Sequence, residues 1–171
     1  MPETYISDEM RAAVGSEVGR MVSFPISASD IRKWAAAVYY PEPPPAYFWN
    51  LGEAEARFGG LVAPEEFNPF AWMTPDGPRV QSSSDRSAIG PEGALGITPP
   101  ATNERLNGGI EVDYTGVRMR EGDVIVSVTR LAEYQEREGR LGLMLFTVTA
   151  QEWTNDRGEI IKTQRSTLIR Y

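Results

Sequence analysis

The chain has 171 residues, so we expect one domain with a substantial core. Its net charge of −7 disfavours a nucleic-acid partner, because binding to phosphates depends on Lys and Arg. It contains no cysteine and no histidine, which excludes disulfides, thiolate metal sites and every nucleophile that imidazole activates. Any proton transfer within the chain must therefore use Asp, Glu, Lys, Tyr or water.

The first segment of the chain predicts a capped helix and then a strand. Ser7 precedes an acidic and then apolar segment that ends at Gly15, which is typical of a short helix. Residues 19–26 alternate loosely and predict a strand, which Pro25 restricts to an edge or an ending. The acidic N-terminus lacks the features of a signal peptide, and no apolar run approaches the roughly 18 residues of a membrane span, so we expect a cytoplasmic protein.

A second helix is predicted from Ser27 or Ser29 to Val38. Four apolar side chains recur there at helical spacing, and we expect this stripe to pack in the core: Ile31, Trp34, Ala35 and Val38. Asn50, with Glu53 three residues later, predicts the start of a further short helix, which Gly59 and Gly60 close.

Residues 39–49, which we call the connector, join these two helices and contain four prolines and five aromatic side chains. Prolines fix the backbone, so the connector should be stiff and neither helix nor central strand. These five aromatic side chains either line an apolar pocket or pack in the core or an interface: Tyr39, Tyr40, Tyr47, Phe48 and Trp49. Glu42 lies among them as a candidate for a catalytic carboxylate.

The segment after the helix at residue 50 offers two further carboxylates. Pro64 predicts the first turn of a helix, with Glu65 and Glu66 near its positive end. Either acid can serve as a base, although solvent-facing first-turn acids are the commoner case. Residues 73–105 are rich in Pro, Gly and Ser and lack a sustained period, so they predict a long loop, either a cover over a binding cleft or a partly disordered segment.

The remainder of the chain predicts a sheet. Ile110, Val112 and Tyr114 alternate with polar residues, which is typical of a half-buried strand. Turns at residues 121–123, 137–140 and 155–158 separate three more strands, so we expect a four-stranded antiparallel meander. The third strand of the meander, residues 141–153, is apolar on both faces in its first half and should be central and covered by a helix. Helices that precede the strands indicate an α+β fold.

The order of three segments resembles the MaoC-like and FAS1-like dehydratases of the hotdog superfamily. The similar segments are SASDIRKWAAAV, GGLVAPEEF and LNGGIEVDYTGVRMREGDVI, and the likeness covers nearly the whole chain. The resemblance implies a hotdog fold, in which a long antiparallel sheet wraps around a central helix, in one domain over residues 1–171. Active members of this family pair an Asp with a His to add water to an enoyl thioester, and the corresponding segment here is the connector, which has neither in place.

The resemblance further implies that this chain is the non-catalytic, substrate-accommodating subunit of a heteromeric enoyl-CoA hydratase. A hotdog partner would carry the Asp and His, and the shared groove would hold an acyl-CoA thioester with a bulky acyl group, for example a steroid-derived one. No cofactor or metal is implied. Two groups of residues are the expected substrate contacts: in the connector Tyr40, Tyr47, Phe48 and Trp49, and at the start of the first strand of the meander Asn107, Gly108 and Gly109. The last three can either present backbone N–H groups to a thioester oxygen or simply begin the strand.

Two other functions remain open from the sequence. The chain can be a self-sufficient hydratase, dehydratase or thioesterase that uses Glu42, Glu65 or Glu66. It can also be a non-enzymatic homodimer that binds acyl-CoA.

Overall fold

The computed structural model describes residues 4–71 and 90–171, which form one antiparallel sheet and several short helices. The helices are α1 (Asp8–Ala12), α2 (Ala28–Tyr39), α3 (Leu51–Phe58) and α4 (Pro91–Leu95), with one 3₁₀ turn at Ala46–Phe48. The strands are β1 (Glu17–Val22), β2 (Arg105–Tyr114), β3 (Val126–Gly139), β4 (Gly142–Thr154) and β5 (Ile160–Arg170).

Local capping signals set the ends of the helices, as the sequence predicts. The side chains of Ser7, Ser27 and Asn50 each accept a hydrogen bond from a backbone N–H in the first turn of α1, α2 and α3. Gly59 ends α3 in the left-handed conformation, which a glycine adopts without a steric penalty. Among the described residues, no helix is long and apolar enough to cross a bilayer.

The strands lie in the order β1-β3-β4-β5-β2, and every neighbouring pair is antiparallel. The predicted edge strand near residue 19 is confirmed as β1, and the meander is confirmed for β3, β4 and β5. The prediction was wrong for β2, which pairs with β5 at the far edge and not with β3. Residues 115–125 carry the chain from one edge of the sheet back to β3, a path that local turn signals do not reveal.

One face of the sheet packs on the helices, and we call it the inner face. It carries Trp153 of β4, which lies in the main core cluster with Ile31 and Ala35 of α2. Trp34 packs edge-on against Phe67, with 5.5 Å between the ring centroids. Val38 is 49% exposed, so the predicted core stripe ends before the last turn of α2.

The predicted position of the most apolar strand is confirmed. That strand is β4, at the centre of the sheet, and its Leu145 is fully buried in a second core cluster with Met10 of α1. A strand with neighbours on both sides and a helix above it has little contact with water, which explains its apolar sequence.

Two loop predictions need correction. Residues 64–67 form a turn closed by the Phe67 N–H and the Pro64 carbonyl oxygen at 3.1 Å, and no helix begins there. A long loop is predicted over residues 73–105. Its first part, residues 73–89, lies outside the described residues, and in the remaining part α4 interrupts the loop. In the connector, residues 40–45 are neither helix nor strand, as predicted, but Ala46–Phe48 complete a 3₁₀ turn.

Candidate functional site

A cavity of about 430 Å³ lies on the inner face, where the sheet meets α4. Its floor consists of residues from β4 and β5, among them the hydroxyl-bearing Thr147, Thr149 and Ser166. The Pro91 ring of α4 and the first residues of β2, including Asn107, form its sides. The lining thus combines methyl groups and a proline ring with a few hydroxyl and amide groups. Such a lining is usual for a site that binds an apolar ligand with a polar group.

A buried ion pair holds α4 against the sheet beside this cavity. Glu92 of α4 is fully buried and Arg170 of β5 is 5% exposed. The guanidinium group donates two hydrogen bonds to the carboxylate, at 3.0 and 2.8 Å, and a third to Thr147 Oγ1 at 2.6 Å. The Tyr134 hydroxyl donates to the same carboxylate at 2.6 Å. A paired Arg–carboxylate with further donors is the geometry in which a buried charge is tolerated.

The surroundings of Glu92 fix the charge state of the cluster. Burial alone raises the pKa of the Glu92 carboxyl, but the hydrogen bonds from Arg170 and Tyr134 outweigh it and leave the pKa below its ordinary value. Burial and the neighbouring carboxylate together raise the pKa of Tyr134, so the phenol keeps its proton and remains a donor. The cluster is therefore a charged, hydrogen-bonded anchor, although the buried Arg170 Nε has no hydrogen-bond partner among the described residues, and Thr147 links the cluster to the floor of the cavity.

The predicted residues at the start of β2 divide between two faces of the sheet. Asn107 lines the cavity, whereas Gly108 and Gly109 lie at a bulge opposite Thr167 and line a groove of about 500 Å³ with outward-facing residues such as Arg165. The Gly109 N–H donates to Asn107 Oδ1 at 3.1 Å, so this amide is already hydrogen-bonded. A Cβ on Gly108 would lie 2.8 Å from the Thr167 side chain, which explains the glycine.

The predicted connector aromatics also divide. Phe48 is buried in the main core, and Tyr47 packs against it with 4.5 Å between ring centroids. Tyr40 is 82% exposed and Trp49 is 46% exposed. None of these four lines the cavity beside Asn107, so the structure does not bring the two predicted groups of substrate contacts together there.

The candidate carboxylates lie at the surface. Glu65 pairs with Arg118 at 3.3 Å, and Glu42 and Glu66 are exposed. Within residues 4–71 and 90–171, no three residues among His, Cys, Asp and Glu are grouped so as to hold a metal ion.

Sequence reasoning missed the Glu92 cluster. Its two charges are 78 residues apart, and one lies in a segment predicted as loop. The available signal was local: Gly90-Pro91-Glu92 is the pattern of a helix start, with Pro in the first turn and an acid beside it. That pattern predicts α4 but not the arginine that it meets.

The comparisons with known proteins agree on one family and one fold. The family model described as "FAS1-like, dehydratase domain region" matches residues 12–164. No curated protein sequence matches the chain significantly.

Three similar solved structures, each below 25% identical to this chain, show its fold. The ChsH1-ChsH2 complex from Mycobacterium tuberculosis contains a chain with a TM-score of 0.66 and 15% identity, covering 95% of this chain and 87% of that one. The MaoC-like dehydratase from Rhodospirillum rubrum has a TM-score of 0.53 and 19% identity, with 93% and 92% covered. The R-hydratase PhaJ1 from Pseudomonas aeruginosa has a TM-score of 0.54 and 13% identity, with 92% and 81% covered. The sheet and its helices are thus the α+β hotdog fold of these proteins.

Proposed function

We propose that this chain, which belongs to the FAS1-like dehydratase domain family, is the non-catalytic, substrate-accommodating subunit of a heteromeric enoyl-CoA hydratase of the MaoC-like type. Addition of water to an enoyl thioester requires a group that transfers protons near neutral pH. The chain has no histidine, and its candidate carboxylates are exposed and lie outside the lining of the cavity. The acid and base are therefore assigned to a hotdog partner that carries Asp and His.

The exposed edge strand β2 is the observation that carries this proposal. Nine of its ten residues are exposed, and only Val112 is partly buried. Three of the exposed side chains are large and apolar: Leu106, Ile110 and Tyr114. The sequence pattern predicts Ile110 and Tyr114 on the buried side of a half-buried strand, and the isolated chain leaves them uncovered.

A long edge strand without proline is a ready template for a strand of another chain. Its free backbone groups can continue the sheet, and its exposed apolar side chains supply contact area. We therefore assign β2 as the partner-binding edge. β1 is the opposite edge of the sheet and is only six residues long.

The cavity lies beside this same edge. Arg105, Leu106 and Asn107 belong to β2 and also line the cavity, so a partner strand at β2 would lie next to the bound ligand. Such a partner can supply catalytic groups to a substrate whose acyl part this chain holds. The size of the cavity, about 430 Å³, is in the usual range for a site of a bulky organic ligand. An acyl-CoA with a large acyl group, a steroid fragment among the possibilities, fits this assignment.

The similarity to a chain of the ChsH1-ChsH2 complex supports a heteromeric arrangement, because that structure holds two differently named components. The decisive experiment measures hydration of a 2-enoyl-CoA by the purified chain alone and after addition of a hotdog protein that contains Asp and His. We expect no turnover by the chain alone and turnover with the partner. Strong turnover by the chain alone would instead support the self-sufficient enzyme, with Glu42, Glu65 and Glu66 as the residues to replace by alanine.

A pair of edge variants tests the docking surface. Ile110→Lys places a charge on β2, and Met21→Lys makes the same change at a similarly exposed position of β1. We expect the first variant to abolish complex formation in size-exclusion chromatography and the second to leave it intact. Equal loss with both variants, or a stable homodimer that binds acyl-CoA and ignores every partner, would contradict the assignment.

A further inference from the structure

Thr147 belongs both to the buried cluster and to the cavity. Its side chain is 2% exposed, and its Oγ1 atom accepts a hydrogen bond from Arg170 Nη2 at 2.6 Å. An arginine nitrogen can only donate, so Thr147 Oγ1 must accept towards Arg170, and its own hydrogen is left for a different partner. Among the residues that the structure describes, this hydroxyl group donates to no acceptor. A buried hydroxyl group with an unused hydrogen therefore lies at the floor of the cavity.

The other polar side chains near Thr147 also keep hydrogens that no acceptor of the described residues takes. Asn107 Oδ1 accepts from the Gly109 N–H at 3.1 Å, which orients the amide and leaves its NH2 group as a donor. Ser166 Oγ accepts from Gln164 Nε2 at 3.2 Å and keeps its own hydrogen. No carboxylate in the described part of the chain lines the cavity. The cavity thus presents hydrogen-bond donors to a ligand.

The pleat of the sheet sets the spacing of these donors. Thr147 and Thr149 are two residues apart on β4, which is about 7 Å along the strand. Ser166 is the cross-strand partner of Thr149, and Leu168 is the partner of both Thr147 and Asn107. Thr147 is therefore two strands in from the β2 edge, about 10 Å away from it. In the proposed assembly the thioester lies at that edge, so the far end of the acyl group lies near Thr147.

The chemistry of these donors restricts the ligand. A ligand that fills the cavity takes the donors out of contact with water, so it loses affinity unless it offers them an acceptor. A carboxylate is a poor acceptor at Thr147, because Arg170 Nη2 binds both Thr147 and Glu92, and a second carboxylate there would lie close to the buried charge of Glu92. A neutral oxygen atom avoids this repulsion.

We propose that the cavity selects an acyl group that carries a ketone oxygen at the end far from the thioester, and that Thr147 donates the hydrogen bond that selects it. A ketone oxygen accepts hydrogen bonds and brings no hydrogen of its own, so it complements a lining of donors. A plain hydrocarbon end would leave Thr147 without an acceptor. The inference rests on the proposed function, because it takes the acyl-thioester ligand from it.

The test compares three acyl-CoA probes of equal chain length by titration calorimetry on the full chain. The probes are 9-oxodecanoyl-CoA, decanoyl-CoA and the CoA monothioester of decanedioic acid, which end in a ketone-bearing segment, a hydrocarbon and a carboxylate. A net hydrogen bond changes a dissociation constant about 3- to 10-fold, so we expect the ketone probe to bind more tightly than decanoyl-CoA by this factor. Equal binding of these two probes, or tightest binding of the carboxylate probe, would overturn the inference.

Three variants assign the preference to one hydroxyl group. Thr147→Val removes the donor and should abolish the preference for the ketone, whereas Thr147→Ser keeps a hydroxyl group and should retain it. Thr163→Val makes the same change on β5 opposite Glu152, outside the lining of the cavity, and should leave the preference unchanged. The preference is a ratio of two affinities of one protein, so a general loss of stability does not imitate its loss. Retention of the ketone preference by Thr147→Val would overturn the role of Thr147.

Infrared spectroscopy gives a second measurement, which needs no variant. A hydrogen bond lowers the C=O stretching frequency of the bound ketone, and a frequency equal to that in a hydrocarbon solvent would overturn the inference.

A parallel titration with the CoA-free acids 9-oxodecanoate and decanoate separates the inference from the proposed function. If the acyl-CoA probes bind without a preference for the ketone, the inference fails and the proposed function stands. If only the free acids bind, and the ketone is preferred, the proposed function fails and the selection of the ketone stands. If no probe binds, the inference is overturned, and turnover with a hotdog partner then decides the proposed function by itself.

Discussion

Replacing Arg170 with methionine removes the cation that neutralises the fully buried Glu92. The fully buried carboxylate then keeps the Tyr134 hydrogen bond but loses the paired guanidinium. Breaking a buried ion pair by removing one partner costs about 3–5 kcal/mol, because the remaining charge is left uncompensated. In a domain of this length, 1 kcal/mol corresponds to a Tm change of about 2–4 °C, so we expect Tm to fall by roughly 6–20 °C.

Thermal unfolding followed by circular dichroism measures this effect, and two variants make it specific. Arg165→Met breaks a surface pair with Glu133, where both side chains are at least 40% exposed, and should cost about 0–1 kcal/mol. The double variant Glu92→Leu/Arg170→Met replaces the whole pair with apolar side chains and should recover most of the lost stability. Equal small losses for Arg170→Met and Arg165→Met would refute the view that the cluster anchors α4.

The remaining predictions concern pH, one glycine and one helix cap. The folded-state pKa of Glu92 is lowered, so its contribution to the free energy of unfolding is fully present above the ordinary carboxyl pKa of 4.5. This contribution is lost as the pH falls below that value. Glu92→Gln should therefore remove this part of the pH dependence, which denaturant titrations at several pH values measure. Gly108→Ala should lower the free energy of unfolding by about 1–3 kcal/mol, because the new Cβ would lie 2.8 Å from Thr167 Cγ2 and 2.9 Å from Ile169 Cγ1. Gly19→Ala on β1 serves as the control, since its Cβ would meet nothing closer than 3.8 Å. Equal stabilities of the two variants would contradict the overpacking argument. Asn50→Ala should lower the free energy of unfolding by about 1 kcal/mol, since it removes the side chain that accepts from two N–H groups of α3, and no loss in urea unfolding would show that the cap is dispensable.

Local signals in the sequence are sufficient for most of the secondary structure. Ser7, Ser27, Asn50 and Gly59 act on their own neighbours, so their effect on helix ends is visible in a short window. The turns around residues 122 and 158 depend in the same way on glycines with positive φ. Pro64 was misleading because its segment closes a turn after three residues, before a helix can form.

What the sequence could not predict is non-local. The alternation in β2 indicates a half-buried strand, yet the isolated chain exposes Ile110 and Tyr114 because β2 has a neighbour on one side only. The partnership of Glu92 and Arg170 likewise depends on how distant segments meet. The connector shows a further limit, since composition indicates packing or pocket lining for its aromatics but does not tell which ones the core takes: Phe48 is buried and Tyr40 is exposed.

The most direct test of the central claim is a rate measurement on purified proteins. Hydration of a 2-enoyl-CoA is followed with this chain alone, with a hotdog partner that carries Asp and His, and with the two mixed. We predict turnover in the mixture, none with this chain alone, and loss of the mixture's activity when Ile110→Lys replaces the native chain. Full turnover by this chain without any partner would contradict the claim that its contribution is shape and contact.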